Sequence, residues 1–396
     1  MVSQFIKTGI FVFALFIVTE SSAQNIDFKA YDNWEQVVAD AKKANKHIFV
    51  DVYTDWCSWC KKLDKDVFTA EGVASYYNKT FINIKLNAED GAMGEKFAEK
   101  NGVNGFPTLL YFSPQGKWVH RISGYRDPGD FVDAGWDAVN PERQLVSYET
   151  KFEKGEKSLE FLRTYIHAIN EAGLDNSSAI QTYIAQLNDA DYKDSTHWAV
   201  ISYNFYDTDS EYFYSLLENK KSLEVSHGTA SVNQFFEHAY SYKIYEIGKS
   251  EDAKALNSFI SQVKSSIPDL AEKLTAYAQY IFYKDDEENG HKYAQKYLTM
   301  HCSNSNELNA AAWKYFENEE DEIKLNEALF WVLKSIRLDK NWYNTDTQAN
   351  LLLKLGRLEE AKKAAINSIE IARRDGMDPE ETELLLEKIN DSLESR

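Results

Sequence analysis

Short apolar runs alternate with amphipathic stretches in the first third of the chain; after Arg143 only the amphipathic stretches continue. In the first region "HIFVDVYTDW" (47–56) is a β-branched and aromatic run that predicts a strand. "KKLDKDVFTAEGVASYYN" (61–78) switches to helical spacing, with Leu63, Val67 and Phe68 on one face. A second strand follows at "FINIKLNAED" (81–90) and a helix at "GAMGEKFAEKNGV" (91–103). The next stretch, "NGFPTLLYFSPQGKWVHRISGY", predicts a hairpin. Its strands lie around Leu109–Phe112 and Trp118–Ile122, and it turns at "SPQG". A last helix is expected from about Pro128 to Val139.

Beyond Arg143 helical patterns follow one another between polar breaks such as "NEAGLDNSS", "NDADYKDS", "KDDEENG" and "ENEEDE". Pro268 and Pro379, the only prolines after Pro141, each fall at a segment boundary, which predicts an all-α array. Its C-terminal part repeats. Leu325, Ala328 and Ile336 recur as Leu358, Ala361 and Ile369 at an offset of 33, and Ala294 precedes Ala328 by 34. The spacing, and "NLLLKLGRLEEAKKAAINSIEIA" in particular, resembles the tetratricopeptide repeat, with small alanines where paired helices cross and Gly356 in a tight turn. Such repeats stack into curved surfaces that bind extended peptides or partner proteins, although the array would serve equally as a scaffold or dimer surface.

The N-terminus changes the setting. Lys7, an apolar run from Gly9 to Val18 and the small residues Ser21-Ser22-Ala23 have the layout of a cleaved export signal. That run is about ten residues, well short of the ~20 that span a bilayer. We therefore expect an export signal at 1–23, an α/β domain at 24–142, a divergent helical region at 143–271 and helical repeats at 272–396. No later segment reads as membrane-spanning. The formal net charge of −19 argues against a nucleic-acid partner, because phosphate binding needs clustered Lys and Arg. Aromatic residues make up 14% of the chain and are spread along its whole length.

Three cysteines in an exported chain this long do not make a disulfide framework. Cys57 and Cys60 sit three apart, and Cys302 stands alone after "YLTMH", where a buried, inert thiol is expected. A zinc site is weakly supported, since there is no second C-x-x-C and no H-x3–5-H. A structural staple is also weak, because so short a loop removes little chain entropy. Redox chemistry suits the spacing: two thiols one helical turn apart can bond, and the first can sit where a helix N-terminus favours a thiolate. Soft thiolates also suit Cu(I), so a copper-handling dithiol is a further reading.

The surroundings of the pair carry a more specific resemblance. In element order and at several separate landmarks, residues 27 to 140 resemble a thioredoxin domain, an α/β thioredoxin fold. "VDVYTDWCSWC" is similar to the family's active-site strand and turn, and "GFPT" resembles the loop whose proline, here Pro107, is cis in that family. The family's buried acid matches Asp51 and its lysine on the next strand matches Lys85. W-C-x-W-C-K is similar to exported members, in place of the usual C-G-P-C. The resemblance implies that Cys57, nearer the helix end and more exposed, attacks, and that Cys60 resolves the mixed disulfide. Asp51, if buried, would take the proton of Cys60. Lys85 would tune that acid, or be a plain exposed strand lysine. Trp56 and Trp59 would form an apolar platform, or simply pack. Phe106 and Pro107 would face the cysteines and offer backbone groups to an extended substrate.

Together these features predict an exported thiol–disulfide oxidoreductase of the bacterial periplasm or cell envelope. It would act on protein thiols and disulfides and exchange electrons with a dithiol partner protein. No metal and no organic cofactor is required. The alternative is a redox-inactive adaptor that works through its helical repeats.

Overall fold

The structure is a computed structural model that describes residues 25–286 and 288–395. The export signal expected at 1–23 lies outside the described residues. The chain divides into two compact units, meeting in sequence at Pro141 and Glu142.

Among its described residues the first unit holds four strands, β1 (His47–Tyr53), β2 (Phe81–Asn87), β3 (Thr108–Phe112) and β4 (Trp118–Ser123), in the order β2-β1-β3-β4. β1 runs parallel to β2 and antiparallel to β3, and β3 and β4 form the hairpin. Helices accompany them: α1 (Trp34–Ala44), α2 (Ser58–Lys62), α3 (Glu71–Thr80), α4 (Met93–Lys100) and α5 (Pro128–Val139).

Alternation along β1 sorts its side chains onto two faces. Ile48, Val50 and Val52 join Ile82, Ile84, Leu110 and the α1 and α4 residues Val37 and Phe97 in one apolar layer. On the other face Phe49 is ringed by Tyr77, Tyr111 and Phe131, with ring centroids 5.0, 5.2 and 5.5 Å away. Tyr77 stacks on Phe131 at 4.3 Å, and its hydroxyl donates to the Phe131 carbonyl at 2.7 Å. The aromatic residues on this face of the sheet are therefore core. A tyrosine goes there only where its hydroxyl finds a partner.

Several boundaries differ from the sequence expectation, among them that of β1, which is expected over 47–56 and ends at Tyr53. The stretch after the cysteines is not one helix: α2 passes into a wider five-residue π-type turn at Leu63–Val67, and α3 starts afresh at Glu71. The Phe68 amide donates back to Leu63 O at 3.0 Å, and the added residue per turn keeps Leu63, Val67 and Phe68 all buried. The strand expected over 81–90 ends at Asn87. Asp90 instead receives the Ala92, Gly94 and Glu95 amides that open α4. Gly94 is required there, since a Cβ would lie 2.0 Å from Asn87 O.

The second unit is all helical among its described residues. It opens with α6 (Leu145–Glu153), α7 (Leu159–Glu171), α8 (Ser177–Ile184) and α9 (Ser195–Asn204), and continues in helices to Glu394. The repeated small residues Ala294, Ala328 and Ala361 are buried, as are Leu325, Leu358 and Ile369. Gly356 takes φ +70° after the helix Trp342–Lys354. The Gly356 and Arg357 amides there return to Leu353 O and Leu352 O, closing the helix end before Leu358–Arg374 begins. Among the described residues no helix is long and apolar enough to cross a membrane.

Candidate active site

β1 ends at Tyr53, and the chain turns through Thr54–Trp56 into α2, with the Cys57 amide bonded to Thr54 O. Cys57 occupies the capping position of α2, and its Sγ accepts the Cys60 amide at 3.0 Å. Cys57 and Cys60 are disulfide-bonded, their Cα atoms 5.2 Å apart. Both are covered, at 5% and 2% exposure, so the difference in exposure expected between them is slight. Hydrogen bonding separates them instead: Cys57 sulfur faces a helix-terminal N–H, an arrangement that favours negative charge on it.

Asp51 and Lys85 stand directly opposite each other in the parallel β1–β2 register, so their side chains share a face. Asp51 is 1% exposed, and neither of its oxygens makes a hydrogen bond among the described residues. The Lys85 ammonium lies 3.5 Å from Asp51 Oδ2. Burial pushes the Asp51 carboxyl up to about 7; Lys85 pulls the other way, and the charge of Asp64 adds to the rise. Lys85 is mostly covered. Its ammonium sits 4.4 Å from the centre of the Tyr53 ring, with Phe28 and Phe68 at 5.8 and 5.7 Å.

Trp56 and Trp59 are 64% and 53% exposed. Trp56 meets Phe106 edge-on at 5.8 Å, and its indole N–H donates to both Glu89 carboxylate oxygens at 3.0 Å. Trp59 lies 5.6 Å from Tyr125, and Lys62 reaches toward both rings. The Phe106–Pro107 peptide is cis. The Pro107 carbonyl accepts the Gly124 amide at 2.8 Å, so it is engaged within the domain.

The disulfide thus follows directly on β1, which carries Asp51 opposite Lys85, and the exposed Trp56 and Trp59 adjoin the two cysteines in the chain. Three participants escaped the sequence reading. Asp64 hydrogen-bonds Lys85 from the π-type turn, so the lysine lies between two carboxylates. Its only signal was its place four residues after Cys60. Glu89 and Tyr125 carried no signal, because loops far apart in sequence bring them to the tryptophans. Cys302 is buried; loss of solvent, reinforced by Glu307, pushes its thiol up to about 12. Among the described residues no cluster of three or more His, Cys, Asp or Glu is placed to hold a metal ion.

Comparison with known proteins places the first unit in a family. Residues 34–136 match a family model described as a thioredoxin-like domain. A thiol:disulfide interchange protein DsbD from Photorhabdus laumondii is 32% identical over 29% of this chain and 20% of its own length. The DsbD of Pseudoalteromonas atlantica is 33% identical over 26% and 18%. A protein solved in solution from Bacteroides thetaiotaomicron is 33% identical, covering 30% of this chain and 98% of its own, with a TM-score of 0.28. The first unit is a thioredoxin-like domain, and a helical unit follows it. The chain spans about a fifth of the length of the DsbD relatives it matches.

Proposed function

We propose that this protein is an exported thiol–disulfide oxidoreductase that exchanges the Cys57–Cys60 disulfide with cysteine pairs of other proteins. The observation that carries the reading is a disulfide capping a helix, with the Cys60 N–H on Cys57 Sγ and a buried acid, Asp51, in the adjoining strand. The name carried by the DsbD relatives supports it for the domain they share.

In the reducing direction the Cys57 thiolate attacks a substrate disulfide. A Cys57–substrate mixed disulfide forms, and one substrate thiolate leaves. Cys60 gives its proton to Asp51 and attacks Cys57 Sγ, which restores the internal disulfide and releases the second substrate thiolate. Two electrons pass to the substrate, and Asp51 returns the proton to a departing thiolate. A second dithiol protein recharges the pair. Run backwards, the same steps oxidise a substrate dithiol. Trp56, Trp59 and Phe106 form the apolar surface on which the substrate segment lies, and the helical unit holds partner proteins or extended peptides. The compartment is the bacterial cell envelope.

The test is an equilibrium titration of the Cys57–Cys60 pair in thiol buffers, on protein carrying Cys302→Ser. A potential near the roughly −270 mV of thioredoxin marks a reductant, and one near about −120 mV marks an oxidant. Absence of a reversible two-electron couple sinks the enzyme reading. An adaptor would then keep its partners in a Cys57→Ser variant.

A further inference from the structure

The polar break "NEAGLDNSS" has no part in the redox chemistry, yet it folds into a built feature of the helical unit. Asn170 near the end of α7, Asn176 just before α8 and Asn204 at the end of α9 interlock through their amides. Asn170 Nδ2 donates to Asn204 Oδ1 at 2.6 Å, while Asn176 Nδ2 reaches both Asn204 Oδ1 and Asn170 Oδ1 at 2.7 Å. Asn204 is 6% exposed, and its own amide donates to Val200 O at 2.7 Å. Asn176 occupies the position from which a side chain commonly caps the next helix, but it makes no such bond. The start of α8 is met instead by Asp175, whose carboxylate accepts the Ser177 amide at 3.0 Å. The Asn176 amide is thereby released to join the other two, and the three amides lie side by side.

The amides line a cavity of about 490 Å³, within the usual range for small-molecule sites. Its wall carries Tyr203 and Tyr242, 67% and 49% exposed, and Tyr242 is backed by Tyr206 stacked at 4.4 Å. Asp175 and Asp207 also line it, and its described lining includes no lysine or arginine. An anion would meet two carboxylates with no opposing charge. An amine would suit the carboxylates but leave amide donors facing a cation. A hydroxyl both donates and accepts, so amides and carboxylates side by side match a ligand bearing many hydroxyls. Exposed tyrosine faces, apolar across the ring, suit the C–H face of a sugar ring.

We propose that this cleft binds a neutral saccharide. The amide triad and Asp207 take its hydroxyls, and Tyr203 and Tyr242 take its ring faces. The site is independent of the Cys57–Cys60 couple.

The test uses the full chain on an array of neutral and acidic glycans, with titration calorimetry on the strongest neutral binder and on spermidine. The expected result is a neutral glycan bound with a Kd of about 1 mM or tighter. Tyr203→Ala and Tyr242→Ala should each weaken it at least about tenfold, the first with thermal unfolding unchanged and the second with only the small loss expected from the Tyr206 stack, and Cys57→Ser should leave it intact. Binding to no neutral glycan, to acidic glycans alone, or more tightly to spermidine overturns the proposal. So does glycan binding that neither tyrosine variant alters.

Discussion

All three cysteines are almost wholly covered, yet they sit in opposite electrostatic surroundings. Cys57 faces a backbone N–H at the start of a helix. Cys302 lies within 3.4 Å of the Glu307 carboxylate, and burial together with that charge pushes its thiol up to about 12. Exposure does not distinguish Cys57, the thiol proposed to react, from Cys302; the sign of the nearest dipole or charge does. Two acids, Asp51 buried and Glu307 half-buried, extend the contrast. Glu307 accepts a hydrogen bond from Tyr297, whereas Asp51 makes none among the described residues and has a lysine 3.5 Å away. One acid is tied into packing, and the other is left able to exchange a proton.

The contrast breaks most sharply under alkylation. When the reduced native protein is treated with iodoacetamide at pH 7 and followed by peptide mass spectrometry, Cys57 should react at least about a thousandfold faster than Cys302. Comparable rates would remove the electrostatic distinction.

Next in size is the rate effect of the buried acid. Asp51→Asn should slow turnover of a protein disulfide by about a hundredfold. The native rate should climb as the pH rises through about 7, where Asp51 titrates, and the variant should lack that inflection. An unchanged pH profile would show that Asp51 moves no proton in the reaction.

The same substitution should act on stability with a definite sign. The Asp51 carboxyl titrates near 3.8 when unperturbed and near 7 in the folded protein, so between those values the folded chain holds a proton that the unfolded chain has released. Its contribution is full below the lower value and is lost as the pH rises through the upper one. In denaturant unfolding of the oxidised protein at pH 8, Asp51→Asn should therefore gain stability, roughly 4 kcal/mol at most from 1.36 kcal/mol per pH unit. At pH 3 it should gain almost none. A loss at pH 8 would contradict the burial argument.

Overpacking the other unit sets a local effect beside these. Ala361 is fully buried, and Ala361→Leu should cost about 1–3 kcal/mol in denaturant unfolding of the full chain, leaving the Cys57–Cys60 potential unchanged. The smallest effect concerns the aromatic rim. Glu89→Gln should change the KM for a peptide disulfide by about twofold, as expected for an exposed polar contact, with kcat unchanged.

Much of the first unit was legible because its signals are local. The run at 47–56 predicted β1, "SPQG" predicted the hairpin turn, and helices were expected where α4 and α5 lie. The break after Lys62 was not legible. Leu63, Val67 and Phe68 have a spacing that an ordinary helix and a wider turn both satisfy, and packing of all three into the core decides between them. In the helical unit the periodic small residues marked buried positions. The amide triad was hidden in a break that looked merely polar, because its third member lies 28 residues after Asn176.

The sequence by itself determined the chemistry on offer: a close cysteine pair at a strand-to-helix turn, an acid inside an apolar strand, and two regions of different periodicity. Periodicity and residue type are properties of neighbouring positions, so a linear chain displays them. Tertiary structure alone decided that Asp51 faces Lys85, that Asp64 holds the lysine from its other side, and that Glu89 takes the Trp56 indole. Strand register and loop packing set those pairings, and each arises between segments that the chain keeps apart until it folds.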